Sequence, residues 1–494
     1  MKQYVLLPRG GSFVDGGGAK AAAFFQRLRP VQAMSEKRAA AGGTDVRVVD
    51  RIGDDGPALI EVAEREFTGL PSELSGFQVV PIRYFRPAIV RRVRLAQRPQ
   101  GTASAAQDIT IQIRIRAADN GQPVAGAAVQ AFTDFARRIG ERATSRSTGN
   151  VFLRLPASTS KLERLYIDPT RGYWSLLLHD VRITDGDTFE VRPIEPGHVD
   201  VLRHFYARPV ADPGAGVRVA VVDTGVGDHS DLTVGGGRNA VPGEDPGAWG
   251  DNGMGHGTHV AGIIAGKGAS GSARGIAPAV DLRSYRVFAQ NRQSAKSYPI
   301  AKAIEYAVAD GCDLINLSLS DAHPDALTDT YITRARDTGA VVIAAAGNDG
   351  RRPVNFPARL QDVVAVAAMG RDGLFPADSA DAIEVVKPFG ADEKNFIAGF
   401  SNVGPQVRLV GPGVGVISTM PGGLFGAQSG TSMACPAVTG VAARLLSAKK
   451  TILNMKRDRK RSDAIVELLL GSARTLGFQP DFEGYGMPGA DDGE

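Results

Sequence analysis

From about residue 200 onward, short apolar runs of strand length alternate with longer segments whose apolar residues recur at helical spacing. The strand-length runs span residues 217–222, 281–286, 314–318 and 340–346, and the helical segments span 258–264, 300–309 and 325–337. The strand-length runs do not alternate apolar with polar residues, which is typical of parallel strands buried on both faces. The pattern predicts an α/β domain over residues 196–490, with a doubly wound, mostly parallel sheet and a site at the carboxyl ends of its strands.

Residues 108–195 follow a different pattern, because apolar and polar residues alternate there. Ile109, Ile111, Ile113 and Ile115 are separated by polar residues, which predicts a strand with one buried face. Further strands are expected at 129–132, 151–155 and 174–178. We therefore expect a small β-sandwich in which Trp174 and His179 serve as packing residues.

Residues 1–88 read as a β-α-β-β-α-β unit, which predicts a ferredoxin-like α+β domain. Its strands are expected at 4–7, 46–50, 58–62 and 77–82, and its helices at 19–28 and 64–74. Residues 89–107 then have the composition of a linker, basic at 91–94 and afterwards small and polar. The basic run is open to two interpretations, a processing site or ordinary solvated surface.

Composition narrows the class of function. The 494 residues contain 57 Lys and Arg against 53 Asp and Glu, and this small excess gives no case for nucleic acid or a membrane as partner. The two cysteines, Cys312 and Cys435, lie in apolar or small-residue surroundings and are expected to be core residues. The apolar run near the N-terminus is too short for a signal peptide, so we expect a cytoplasmic protein.

Three polar residues stand where this pattern predicts strand ends and helix starts. Asp223 closes an apolar strand, His256 opens a helical segment, and Ser432 follows Gly430 at the start of another. A serine at a helix start is by itself more simply a capping residue. In the company of the other two, it can instead be a nucleophile, with a histidine base and a carboxylate that orients the base. The His-x-x-His spacing of His256 and His259 also suggests zinc, but no helix glutamate or third ligand lies nearby in the sequence.

These residues lie in motifs that resemble those of the subtilisin-like serine proteases, in the family's order. The motifs are Val-Val-Asp-Thr-Gly at 221–225, His-Gly-Thr-His-Val-Ala-Gly at 256–262 and Gly-Thr-Ser-Met-Ala at 430–434. The resemblance covers roughly residues 200–490. It implies a serine endopeptidase in which Ser432 attacks the peptide carbonyl, His256 moves the proton, Asp223 orients His256 and Asn348 binds the oxyanion.

The same resemblance implies a peptide or protein substrate held along two edge segments. We expect no cofactor and no metal. The edge segments are Ser318, Leu319 and Ser320, and Ala345, Ala346 and Gly347. The chain also departs from the family pattern. Residues 266–275 lack the carboxylates of a tight calcium site, Ser320 stands where glycine is common, Cys435 and Ala437 replace Ser and His, and residues 370–398 form an insertion.

The order and length of the N-terminal elements resemble a subtilisin propeptide, and residues 121–127 resemble carboxypeptidase-regulatory β-sandwich modules. A propeptide would dock on its own peptidase domain and be removed by a cut within residues 88–107 or near Val199. An unrelated ferredoxin-like module or a permanent brace are the alternatives. The alternative for the whole chain is a catalytically inactive scaffold that acts through its β-sandwich.

Overall fold

The computed structural model describes residues 1–8, 46–53, 56–62, 77–90, 95, 108–159, 161–169, 171–195, 197–207, 212–271 and 273–490. The helices expected at 19–28 and 64–74 lie outside these residues. So does the expected linker at 89–107, except for Ile89, Val90 and Leu95.

The N-terminal strands form one antiparallel sheet of order β2-β3-β1-β4. The strands are β1 (Lys2–Pro8), β2 (Val46–Arg51), β3 (Ala58–Val62) and β4 (Phe77–Pro81), at the positions that the sequence predicts. Alternate residues face opposite sides, as strand geometry requires. Val5 and Leu7 join the main hydrophobic core of the molecule, whereas Leu6 and Ile60 belong to a small separate cluster.

Two sheets over residues 108–191 pack on a shared core and form the β-sandwich. Their orders are β11-β10-β7-β8 and β12-β6-β9. The strands are β6 (Asp108–Ala117), β7 (Ala128–Asp134), β8 (Ile139–Thr144), β9 (Asn150–Pro156), β10 (Leu162–Asp168), β11 (Leu176–Val181) and β12 (Thr188–Val191).

Two expectations for the sandwich are wrong. The strand expected at 174–178 begins only at Leu176, because Trp174 donates its backbone N–H to Arg192 outside the ladder. His179 was expected to pack, but it is exposed, since β11 is the edge strand of its sheet and His179 lies on its outer side. Trp174 is buried as expected.

The largest sheet lies beyond residue 217 and has the order β14-β15-β13-β17-β19-β20-β21, with β22 also paired to β20. Its strands are β13 (Arg218–Asp223), β14 (Val234–Asn239), β15 (Asp281–Arg286), β17 (Leu314–Leu317), β19 (Val341–Ala345), β20 (Val363–Arg371), β21 (Asn395–Ile397) and β22 (Leu409–Pro412). All pairs are parallel except that of β20 with β21, so the sheet is mostly parallel. The expected 370–398 insertion thus begins and ends as neighbouring strands at the edge of this sheet.

Helices pack on this sheet in two pairs, one of α2 with α5 and one of α3 with α4. The helices are α1 (Val201–Tyr206), α2 (His256–Ala265), α3 (Ser297–Ala309), α4 (Ala326–Asp337), α5 (Thr431–Ala448), α6 (Lys450–Leu453), α7 (Arg459–Gly471) and α8 (Pro480–Glu483). In the described part of the chain, no helix is both long enough and apolar enough to cross a membrane.

Short strands complete the fold near the carboxyl edge of the large sheet. They are β5 (Tyr84–Pro87), β16 (Ala295–Lys296), β18 (Leu319–Ser320), β23 (Val416–Met420), β24 (Leu424–Gln428), β25 (Ala473–Arg474) and β26 (Met487–Pro488). Strand β5 lies between β16 and β18, and β23 pairs with β24.

Helix α2 lies unusually close to β23, and Gly262 permits that approach. A Cβ atom at Gly262 would lie 2.3 Å from both Ser418 Oγ and Thr419 Oγ1. Those hydroxyls donate hydrogen bonds to the backbone oxygens of His259 and Thr258. The helix that begins at His256 is therefore held in place by contacts that a larger residue would break.

We expect Gly262→Ala to lower the free energy of unfolding by about 1–3 kcal/mol, because overpacking outweighs the better helix propensity of alanine. Gly471→Ala is the matched control, since a Cβ atom there meets nothing within 4 Å. It should leave stability unchanged or raise it by up to about 1 kcal/mol. Urea unfolding followed by tryptophan fluorescence measures both, and equal effects of the two substitutions would contradict the packing argument.

Candidate active site

Asp223 ends strand β13 and is completely buried. Its Oδ1 accepts hydrogen bonds from His256 Nδ1 at 2.7 Å and from the backbone N–H of Thr224 at 2.6 Å. A buried carboxylate needs such donors, because desolvation otherwise penalises its charge. The pair of bonds fixes both the carboxylate and the imidazole ring.

His256 is the first residue of α2 and is 1% exposed. The residue before it, Gly255, has φ 73°, a left-handed conformation that favours glycine, and donates its N–H to Asp251. Because Asp223 accepts from Nδ1, the other ring nitrogen, Nε2, is left to act as a base. Among the described residues, Nε2 has no hydrogen-bond partner.

Ser432 is the second residue of α5, where the backbone N–H groups of the first turn are unpaired by the helix itself. Its N–H donates to the carbonyl oxygen of Ala88 at 3.0 Å. Its hydroxyl donates to the carbonyl oxygen of Ser318 at 2.8 Å. The hydroxyl therefore points away from the free nitrogen of His256 in this conformation.

Asn348 lies beside the same helix start. Its Oδ1 accepts from the N–H and the hydroxyl of Thr431, at 3.0 and 2.8 Å, which fixes the amide so that Nδ2 faces the other way. Nδ2 is buried and has no partner among the described residues. A Cβ atom at Gly430 would lie 2.5 Å from the Ala88 oxygen and 3.2 Å from this Nδ2, so the two atoms flank Gly430.

The chain's own residues 84–90 cross this site. Strand β5 pairs antiparallel with β16 on one side and with β18 on the other, and Leu319 and Ser320 are the partners of Pro87 and Arg86. Beyond the strand, Ala88 N–H donates to Ser318 at 3.1 Å and Val90 N–H donates to Ser429 at 2.9 Å. The carbonyl of Ala88 thus lies at the nucleophile, and the Ala88–Ile89 bond is the peptide bond presented to it.

The two expected edge segments behave differently. Ser318, Leu319 and Ser320 bind residues 86–88 by backbone hydrogen bonds. Within the described residues, no hydrogen bond joins Ala345, Ala346 or Gly347 to residues 84–90. Gly347 donates instead to Thr431 Oγ1, and Ala346 pairs with Val366 and Asn355, so this segment braces the loop that carries Asn348.

The sequence analysis missed the other edge, Ala295 and Lys296, which pair with Phe85 and Tyr84. These two residues lie in a polar stretch with neither alternation nor an apolar run, so periodicity gives no signal for a two-residue strand.

Comparison with known proteins agrees with this geometry. A family model described as the subtilase family matches residues 214–487. M-protease of Shouchella clausii strain KSM-K16 is 38% identical over 291 residues, which cover 59% of this chain and 68% of that protein. Subtilisin BL of Lederbergia lenta is 38% identical over 230 residues, 47% of this chain and 76% of that protein. The thermostable alkaline protease of Halalkalibacterium halodurans is 37% identical over 241 residues, 49% of this chain and 60% of that protein.

The chain belongs to the subtilase family. It is accordingly a hydrolase, a serine endopeptidase, and its large domain has the α/β fold expected of that family. None of these relatives supports the expected cytoplasmic location. The family model covers residues 214–487, so it does not test the N-terminal sheet or the β-sandwich.

Two family positions are occupied differently in this subtilase. Cys435 is buried in α5, and its thiol donates to Asn316 Oδ1 at 3.2 Å and to the oxygen of Ile343 at 3.3 Å. Burial raises the pKa of the Cys435 thiol, which keeps it neutral. Ala437 is buried in the same helix, and Cys312 is also buried, so both cysteines are core residues as predicted.

His259, the second histidine of its motif, has a structural role in the subtilase. Its Nε2 lies 3.1 Å from the oxygen of Val416 and 3.0 Å from that of Gly426, so it donates to both strands of the β23–β24 hairpin. Burial lowers the pKa of His259 from 6.5 to about 3, which keeps the ring neutral.

This shift makes stability depend on pH. The unfolded chain binds a proton at His259 below pH 6.5 and the folded chain does not, so the stabilisation is complete above pH 6.5 and is lost as the pH falls from 6.5 towards 3. Between pH 7.5 and pH 5 we expect this one residue to remove about 2 kcal/mol. His259→Gln replaces the imidazole N–H with amide N–H donors that do not titrate, so the variant should lose that part of the pH dependence. Urea unfolding at both pH values, in the Ser432→Ala background, measures it, and identical pH slopes for the two chains would contradict the assignment.

Proposed function

We propose that Ser432, His256, Asp223 and Asn348 form the catalytic machinery of this subtilase, and that residues 1–88 are its inhibitory propeptide. The observation that carries the proposal is the hydrogen bond from the N–H of Ser432 to the carbonyl oxygen of Ala88, next to a buried Asp223–His256 pair. A peptide carbonyl in that position is oriented for attack.

The chemical step needs one rotation of a side chain. Ser432 Oγ leaves the oxygen of Ser318, gives its proton to His256 Nε2 and bonds to the carbonyl carbon, while the carbonyl oxygen becomes an anion. The N–H of Ser432 and Asn348 Nδ2 stabilise that oxyanion. His256 then donates the proton to the leaving amine, and Asp223 stabilises the imidazolium. Water repeats the sequence to release the acyl group.

Substrate recognition follows from the backbone of β5. Peptide N–H and C=O groups of residues 84–88 pair with β16, with β18 and with Ser318, which is strand addition to an exposed sheet edge. Side chains then give selectivity. Phe85 is completely buried and lies 5.9 Å, between ring centroids, from Phe356, whereas Tyr84 is 55% exposed. We therefore assign an aromatic pocket to the residue four positions before the cleaved bond.

The proposal that residues 1–88 dock as a propeptide is supported by apolar and polar contacts. Val5, Leu7 and Val80 belong to the main hydrophobic core together with residues of α3 and α4. Lys296 donates to Gln3 Oε1 at 2.6 Å, and Lys302 forms an ion pair with Asp50. The N-terminal sheet thereby holds the neighbouring strand β5 in the site, where it excludes other substrates.

Cleavage of the Ala88–Ile89 bond would leave the β-sandwich on the mature enzyme. The proposed division is then a propeptide at 1–88, a linker at 89–107, the sandwich at 108–195 and the peptidase domain at 196–490. A cut near Val199, which would discard the sandwich, has no support of this kind, because no hydrogen bond within the described residues connects Val199 with Ser432.

We expect the purified wild-type chain to be cut after Ala88 and Ser432→Ala to remain intact, because only the hydroxyl supplies the nucleophile. Loss of the hydrogen bond from the Ser432 hydroxyl to Ser318 costs only about 1 kcal/mol, so the variant should fold. Intact mass and N-terminal sequencing check both, with Ile89 as the new N-terminus. Full-length chains in both preparations would contradict self-processing. If a fluorophosphonate probe also failed to label the wild-type chain, the inactive-scaffold alternative would stand.

Asn348→Ala should lower kcat with little change in KM, because the amide hydrogen bond strengthens only as the oxyanion forms. The expected loss is about a hundredfold to a thousandfold, the magnitude known for removal of the oxyanion asparagine of a subtilisin. Asn120→Ala, in an exposed turn of the sandwich, is the control and should leave both constants unchanged. Steady-state kinetics on a peptide substrate decide the matter, and a change in KM alone would remove Asn348 from the oxyanion role.

A further inference from the structure

The β-sandwich contacts the large domain at the side of the active site where the leaving half of a substrate lies. The backbone N–H of Leu177 donates to Asp378 at 2.8 Å, Ala380 N–H donates to Ser175 Oγ at 3.2 Å, and Arg192 forms an ion pair with Asp378 at 2.9 Å. These contacts use the 370–398 segment, whose role could not be predicted from the sequence. The 370–398 segment is therefore the part of the catalytic domain that the sandwich contacts here.

A second contact reaches the hairpin that leads to the nucleophile. Gly172 N–H donates to the oxygen of Phe425 at 2.7 Å, and Arg171 donates to the oxygen of Pro421 at 3.1 Å. Both acceptors lie in the β23–β24 hairpin, a few residues before Ser432. The sandwich is thus fixed to the catalytic domain at two separate points.

Between these contacts runs a cleft of about 1350 Å³ that includes Ala88, Ile89 and Val90 of the crossing chain. Its walls come from the active site, from the sandwich and from the 370–398 segment. The active site contributes Asn348 and Ser429, and the sandwich contributes Tyr166 and Asp168. The 370–398 segment contributes Asp381 and Glu384. Ile89 and Val90, which lie beyond the cleaved bond, therefore line a cleft that the sandwich helps to form.

Acidic residues outnumber basic residues along the wall of the cleft that the sandwich and the 370–398 segment form. The charged residues that the sandwich and the 370–398 segment contribute to the cleft are Arg138, Asp168, Asp381 and Glu384. The guanidinium of Arg138 lies over the ring of Phe135, 4.3 Å from its centroid. Asp381 is linked to the bound chain through Ser429, since its Oδ1 accepts from Ser429 Oγ at 2.6 Å and the oxygen of Ser429 accepts from Val90 N–H.

The sequence of the bound chain complements that wall. Val90 is followed by Arg-Arg-Val-Arg, the most basic run of the N-terminal half. Beyond it, Leu95 packs in an apolar cluster with Phe132, Tyr166 and Ala380, which contains residues of both the sandwich and the 370–398 segment. Leu95 thus contacts the wall directly, and Val90 contacts Ser429, which in turn donates a hydrogen bond to Asp381 of the wall.

We propose that the sandwich and the 370–398 segment form a specificity site for the leaving half of the substrate, which selects basic residues from the third position after the cleaved bond. Asp168 and Asp381 are the specificity-determining residues. The inference rests on the proposed catalytic function and deepens it. It gives the retained sandwich a part in substrate choice, because an acidic surface partly shielded from water attracts a cation more strongly than an exposed one does.

The test compares two peptides of the sequence of residues 84–95, one unchanged and one with glutamine in place of the three arginines after Val90. Both are incubated with the purified wild-type protein after it has cut itself and released the inhibitory residues 1–88, and kcat/KM is measured for each by chromatography. We expect the wild-type enzyme to prefer the arginine peptide by about tenfold, equivalent to about 1.4 kcal/mol, and the preference to shrink at high salt. Because the ratio is taken within one enzyme, general losses of activity cancel.

Asp168→Asn and Asp381→Asn should each reduce that ratio, and Asp119→Asn, in an exposed turn of the same sandwich, should not. A wild-type ratio near one overturns the inference, as does a high ratio that neither Asp168→Asn nor Asp381→Asn reduces. Failure of the wild-type enzyme to cleave either peptide would instead count against the proposed catalytic function. The two failures are therefore distinguishable.

Discussion

The antiparallel pairing of β5 with β16 and β18 is the interaction that relates the parts of this molecule. Backbone hydrogen bonds satisfy the polar groups of two sheet edges at once and carry the chain across the nucleophile. With the strand in place, Ser432 and His256 are 0% and 1% exposed. The same strand joins the N-terminal sheet to the segment that leads into the β-sandwich, so it connects the three units along the chain.

Burial of the site sets its electrostatics. Asp223 is completely buried and accepts hydrogen bonds from His256 and Thr224, and those bonds also orient the imidazole. In the proposed reaction, the N–H groups of Asn348 and Ser432 stabilise the oxyanion at no cost of rearrangement. His259, one helical turn away from His256, is kept neutral by the same burial and ties the helix to the β23–β24 hairpin.

The β-sandwich is more than a spacer between the N-terminal sheet and the catalytic domain. It is fixed through the 370–398 segment and through the hairpin before Ser432, both of which border the cleft. If the propeptide is removed at the proposed bond, the sandwich remains in position to meet the leaving half of a substrate. The insertion in the catalytic domain and the additional domain are then two parts of one feature.

Local patterns in the sequence determined most of the elements. The alternation at 108–117, the apolar runs of the parallel strands and the positions of Asp223, His256 and Ser432 at strand ends and helix starts can all be read along the chain, because they depend on neighbours a few residues apart. The family follows from three motifs in order.

Only the tertiary structure decided which bond lies at Ser432, that Ala295 and Lys296 form the second edge, that residues 345–347 brace Asn348, and that the 370–398 segment holds the sandwich. Each of these depends on contacts between residues far apart in the chain, in several cases more than 200 positions apart, where no local period constrains the pairing.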